Sequence, residues 1–226
     1  MKFFRIITVL ALVFSFFSCN KTELSSDEII QGLKEALKVG AENSVNQADK
    51  TDGYYGNVLI KILFPQEAQI VADVVSAIPI VGQAYIDDVI LKMNRAAENA
   101  ADKAKPIFID AILGINFSDA MSILKGSDDA ATQYLRNSTS SQLKTAFKPD
   151  IQTALDQVGA SSAWETVMTT YNTIQPGQPV NTDLADYTTG KAIDGLFVLI
   201  GQEEAKIRKD PAARITDILQ RVFGGL

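Results

Sequence analysis

The chain has 226 residues, 46% of them hydrophobic, a formal net charge of −6, one cysteine and no histidine. Without histidine there is no Ser-His-Asp or Cys-His catalysis and no histidine zinc site, and one thiol cannot build a thiolate metal site. The acidic balance speaks against nucleic acid, whose phosphates need Lys and Arg, and no motif asks for a cofactor or a metal.

Lys2 and Arg5 precede an almost purely apolar run from Ile6 to Phe17, and Ser18 then precedes the lone Cys19. The run is too short for a bilayer span, which takes roughly 20 residues, and it fits a signal h-region of roughly 7–15. Phe16, Phe17 and Ser18 match a lipobox only loosely. Ordinary secretory cleavage and an uncleaved anchor are the competing readings, and the position of Cys19 directly after the h-region favours lipidation over both. The expectation is a lipoprotein signal peptide over 1–18, a diacyl- or triacyl-cysteine (palmitate-type) at Cys19, a tether over 19–25 and one helical domain over 26–226. Losing Lys2 and Arg5 would take the net charge from −6 to −8. The implied location is the cell envelope, on a periplasmic or surface face, with the outer membrane expected in a Gram-negative cell.

After the tether the periodicity turns helical. Ile29, Ile30, Leu33, Leu37 and Ala41 recur at spacings of three and four, with Ser26 as the expected cap. DKTDGYYGN (49–57) is a turn cluster, and VLIKILFP reads as a buried extended arm, since no second strand pattern exists to pair with it. Pro65 opens a helix that ends near IPIVG. A long helix runs from Gly82 to Lys103, interrupted at Pro106 and continued by IFIDAILGI. SDAMSILKG is a short helix with Ser118 as cap and Gly126 as stop. SDDAATQYLR forms another, and TSSQLKTAFKPDIQTALDQVG is helical with a break or kink at Pro149. SSAWETVMTTYNTI follows, then the loop QPGQPVNT. The helix Leu184–Lys209 carries five consecutive apolar residues, Leu196 to Ile200, and is placed at the buried centre of the bundle. Asp210 and Pro211 start a last helix with Ile215, Ile218, Leu219 and Val222 as its core stripe, ended by Gly224 and Gly225. The predicted fold is therefore all-α, a multi-helix bundle around that C-terminal helix.

The strings GLKEALKVGAENSV, DGYYGN, DDVILKMNRAAENAA, PIFIDAI, DDAATQYLR, DLADYTTGKAIDGLF and GQEEAKIRKDPAARITDILQRVFG occur in this order. They resemble an uncharacterised family of bacterial envelope lipoproteins, domain of unknown function 4197, from about Gly32 to Gly224. The resemblance implies an all-helical domain behind a lipoprotein signal. It implies no activity and supplies no catalytic residues.

The residues able to carry chemistry are polar ones on helices. Asp87, Asn94 and Glu98 share one face of the long helix, with Arg95 three residues before Glu98. Asp194, Glu204 and Arg208 lie on the central helix, and Arg214 and Asp217 flank the last one. Three readings compete for this set: a solvated face, an ion-pair network between the long and central helices, or a metal or carboxylate site. The Tyr54–Tyr55 turn reads as a staple, and the Trp164, Val167, Met168, Tyr171 stripe as core.

The functional expectation is a lipid-anchored envelope module that is non-enzymatic, held to the membrane by its lipid and binding a protein or a small apolar ligand. The alternative is a carboxylate- or metal-dependent hydrolase, which needs carboxylates converging in an open cleft.

Overall fold

A computed structural model describes residues 25–174 and 183–224. The signal segment, Cys19, the start of the tether, the QPGQPVNT loop and Gly225 lie outside the described residues. Within them the chain is all-α: α1 (Ser26–Ala48), α2 (Gln69–Ser76), α3 (Gly82–Ala100), α4 (Ala104–Leu113), α5 (Phe117–Lys125), α6 (Ala130–Gln157), α7 (Ala160–Ile174), α8 (Leu184–Lys209) and α9 (Asp217–Phe223). None of these helices is by itself long and apolar enough to cross a membrane.

The helix starts follow capping chemistry. Ser25, one residue before the predicted cap, accepts from the Glu28 amide, and Glu28 reaches back to the Ser25 amide at 2.9 Å. Asn116, two residues before Ser118, forms the same reciprocal pair with Asp119 at the start of α5. Thr216 caps α9, while Asp210 and Pro211 begin only a short 3-10 turn. Ile215 therefore falls outside the last helix and is exposed, whereas Leu219, Val222 and Phe223 are buried.

Two predicted breaks differ from the structure. The SDDAATQYLR and TSSQLK segments form one helix that continues through Pro149. Pro149 is exposed, so the carbonyl it leaves without a helical donor lies where water can reach it. The long helix is interrupted at Ala101–Lys103 by a 3-10 turn, after which Pro106 sits in the first turn of α4, where its missing N–H costs nothing.

The α8 helix packs on α1, α3, α6 and α9 and runs through the core of the bundle. Leu196, Phe197, Leu199 and Ile200 are almost fully buried, and Phe197 meets Phe108 of α4 edge-on at 5.7 Å. It is not covered all round, however. Tyr187, Lys191, Asp194 and Val198 fall at helical spacing along one stripe, and that stripe faces a surface groove, leaving Val198 40% exposed.

The VLIKILFP segment, which reads from sequence as a buried extended arm, instead begins with a turn at Val58–Ile60, in which the Ile60 and Lys61 amides donate to the Asn57 carbonyl at 3.1 and 2.8 Å, and then runs as an arm across the bundle over residues 61–65. Its side chains alternate as in a strand: Ile60, Ile62 and Phe64 point into the core, while Leu59 and Leu63 point out. Phe64 packs on Trp164 of α7 at 5.4 Å between ring centroids. The turn between α2 and α3 is closed by Gly82, where a Cβ would come within 2.0 Å of the Val75 carbonyl. In that turn Ile80 takes φ +74°, a left-handed conformation that strains a β-branched residue, with its side chain fully exposed.

Candidate functional site

The predicted polar residues separate into two clusters, each built on a buried glutamate. Glu98 of α3 is 3% exposed. Its Oε1 accepts the amides of Tyr54 and Tyr55, each at 3.1 Å, and its Oε2 pairs with Arg95 at 2.6 Å. The guanidinium continues to Asp52 at 2.7 Å, and these two carboxylates hold Arg95 firmly protonated. The whole cluster fastens the turn after α1 onto α3. Tyr54 completes it: its hydroxyl donates to the Ala192 carbonyl of α8 at 2.6 Å, and burial together with the Glu98 charge pushes the phenol far above the usual tyrosine range. Gly195 makes room for this ring, since a Cβ there would lie 2.7 Å from Tyr54 Cε1.

Glu204 of α8 forms the second cluster. Its oxygens accept the amides of Ala131 and Thr132 at 3.0 and 2.8 Å, and the Thr132 hydroxyl at 2.7 Å. Those amides are first-turn donors of α6 that the helix itself cannot satisfy, and Asp129 supplies no side-chain cap. Arg208 pairs with Glu204 at 2.9 Å and also donates to the Ile123 carbonyl at the end of α5 at 2.9 Å. An anion thus sits at the start of α6 and a cation at the end of α5, each matching its helix dipole.

Of the three competing readings, the ion-pair network between α3 and α8 is not formed. Glu98 faces the 52–55 turn, and Arg208 serves α5 and α6. Asp87 is exposed and accepts from Gln83 at 2.9 Å. Asp194 pairs with Arg136 of α6 at 2.7 Å, a partner the sequence reading did not name. Arg214 donates to the carbonyls of Ile207 and Arg208 at the end of the preceding helix, α8, at 2.9 and 2.8 Å, and Asp217 is exposed.

Asn94 has a different task. Fully buried, it accepts the Ile62 amide at 2.9 Å and donates to the Ile62 carbonyl at 2.8 Å and the Ile90 carbonyl at 2.7 Å. One side-chain amide therefore stands in for a neighbouring strand along the arm. The Tyr187 hydroxyl holds the arm from the α8 side by donating to the Leu63 carbonyl at 3.0 Å.

Beside the arm runs an open groove of about 600 Å³, bounded by residues of α2, α3 and α8. Sequence reasoning missed it. Its signal lies in two sequence patterns taken together, the in–out alternation of residues 59–64 and the α8 stripe at Tyr187, Lys191, Asp194 and Val198. Among the described residues no three His, Cys, Asp or Glu side chains converge so as to hold a metal ion.

These features define a class: an all-helical bundle whose buried acids serve as helix caps and turn fasteners, with an extended arm crossing its surface. Residues 23–224 match the family model described as a protein of unknown function, DUF4197, and the chain belongs to that family. No curated protein and no solved structure matches the chain.

Proposed function

We propose that this protein is a lipid-anchored module of the cell envelope that works by binding rather than by catalysis, and that the groove beside the arm is its binding face. One observation carries the reading. The two buried carboxylates that a hydrolase would need, Glu98 and Glu204, are each engaged by an arginine and by backbone amides. Acids held in this way are poor metal ligands and poor general acids. The apolar concavity lies elsewhere, and its size falls in the range of about 300–1,000 Å³ usual for ligand sites.

The anchoring half of the proposal rests on the charged, apolar and small-residue order before Cys19. Two acyl chains give stable attachment where one alone is marginal. Mass spectrometry of the membrane-purified protein tests it, with an acyl-cysteine at residue 19 as the expected N-terminus. An unlipidated N-terminus further along the chain overturns it. Binding is tested by affinity capture from membranes with the intact protein, comparing it with Val198→Glu. The expected result is a ligand or partner that the variant, with a charge placed in the groove, fails to retain.

A further inference from the structure

The geometry of the groove points to a particular ligand class: we infer that it holds a single-chain anionic amphiphile, a long-chain carboxylate. This rests on the reading of the groove as the binding face.

The apolar part of the site comes from three elements. Leu59 and Leu63 of the VLIKILFP segment, Ile86 and Ile90 of α3 and Val198 of α8 all line it. Leu59 and Leu63 are 63% and 61% exposed, which is unusual for leucines on a segment otherwise fixed at both edges by side-chain hydrogen bonds. An alkyl chain covers such a surface without needing backbone partners.

The polar part is cationic. Lys61 and Lys191 line the same groove, and neither forms an ion pair among the described residues. Each ammonium is instead placed near an aromatic face, Lys61 over Tyr55 at 4.0 Å and Lys191 over Tyr187 at 5.7 Å. Asp194, an acid in the lining, is already neutralised by Arg136 at 2.7 Å. The groove is therefore locally positive on a chain of net charge −6. An apolar run joined to one negative head group complements it, whereas a neutral lipid leaves both lysines unused. A groove of about 600 Å³ suits one alkyl chain with a compact head group, and a long-chain carboxylate is the simplest amphiphile of that kind.

Photo-crosslinking tests this with the full chain in its membrane. A diazirine-bearing long-chain fatty acid and the matching long-chain alcohol are added to membranes carrying the protein, irradiated, and the adducts mapped by mass spectrometry. The expected result is acid-derived adducts on residues 59–64, 86–90 and 191–198, competed by unlabelled acid, with affinity rising about fourfold per added methylene. Lys61→Gln with Lys191→Gln, both changes near the surface, lowers labelling by the acid about tenfold and by the alcohol less than twofold. Val198→Glu, which places bulk and a charge of the same sign as the head group in the channel, abolishes groove labelling by both. Circular dichroism confirms that the variants keep their helix. Equal labelling by acid and alcohol, indifferent to the lysines, overturns the anionic assignment and leaves the groove as an apolar binding face. Labelling by neither overturns the amphiphile altogether, and the binding-module reading then stands or falls on the capture experiment. Capture of an extended apolar peptide, lost in Val198→Glu while the fatty acid fails to compete, replaces the amphiphile by a peptide.

Discussion

Glu204 of α8 caps Thr132 of α6 across the helix interface, accepting both its amide, at 2.8 Å, and its hydroxyl, at 2.7 Å. Among the described residues Arg208 is the only cation on that carboxylate, and its side chain is 9% exposed. Truncating Arg208 to Ala leaves a buried anion whose remaining partners are α6 donors, and frees the Ile123 carbonyl as well. Breaking a buried pair costs about 3–5 kcal/mol, and the three remaining donors place Arg208→Ala at the lower end. Arg95 is 29% exposed, so water replaces part of what Arg95→Ala removes, and about 1 kcal/mol is expected there. Urea melts at neutral pH decide the matter: equal, small losses for both variants mean that Glu204 does not depend on Arg208.

The arm depends on Asn94. Replacing it with Ala strands the Ile62 amide and carbonyl under the bundle surface, at about 1–3 kcal/mol for each unsatisfied group, softened by any water that enters. We expect Asn94→Ala to cost about 3 kcal/mol. Asn94→Asp is expected to be no better, because a carboxylate keeps the acceptor for the Ile62 amide yet faces the carbonyls of Ile62 and Ile90. Hydrogen exchange gives a local readout. The Ile62 amide should exchange much faster in Asn94→Ala while amides in the middle of α8 keep their protection. Uniform loss of protection across both would show that the arm is not a separate unit.

Helix positions and the central role of α8 were legible because apolar spacing is a local property and burial follows it. The arm over residues 61–64 was legible because the segment has no helical spacing and no second strand to join, whereas the turn at 58–60 depends on the Asn57 carbonyl that the Ile60 and Lys61 amides share. Which polar groups meet was not legible. Glu98 and Arg95 are neighbours on one helix, and sequence finds that pair; their third partner, Asp52, and the amides of Tyr54 and Tyr55 arrive from 43 or more positions away. Asp194 and Glu204 look alike along α8, yet one is exposed and the other buried, because α6 enters its N-terminus over Glu204 only. Capping errors had a simpler origin. Ser25 and Ser26 are equivalent until the reciprocal contact from Glu28 selects one, and Asn116 outcompetes Ser118 because Asp119 stands three residues after it.

The short C-terminal helix is held by close packing. At Gly32 of α1 a Cβ would stand 2.5 Å from Val222 Cγ2 and 3.1 Å from Ile218 Cγ1, so α9 must retreat if one is added. Gly32→Ala is expected to cost about 1–3 kcal/mol by overpacking, despite the better helix propensity of Ala. Val222→Ala alone leaves a small void. Combined, the two changes refill one another, and the double variant should lose at least about 1 kcal/mol less than the sum of the single losses. Additive losses in thermal or urea melts would show that α9 is held by other contacts, such as the 2.8 Å pair between Arg221 and Glu28.

Acid sensitivity should be traceable to the start of α8. Lys148 of α6 reaches Asp183 at 2.8 Å and Asp186 at 3.1 Å, and Lys144 reaches Asp186 at 3.1 Å. The hydrogen bond from Lys148, and next the Asp186 amide, hold Asp183 below the ordinary aspartate range. Asp186 is held down by Lys144 and then by Lys148. A carboxylate whose folded pKa is depressed gives stability that is complete above its unfolded value, about 3.9, and disappears as pH falls through the folded one. Lys148 is shifted upward by the same two acids, so its share is complete below about 10.4 and is lost above it. Lys148→Met should therefore be less stable than the parent at pH 7, and the gap should close as pH is lowered from about 5 toward 3. The groups are largely exposed, so raising the salt concentration should shrink the gap at pH 7 as well. Urea midpoints measured across this range for the two proteins check both effects. A gap that widens on acidification would mean that Lys148 stabilises the fold through its methylene stem and not through its charge.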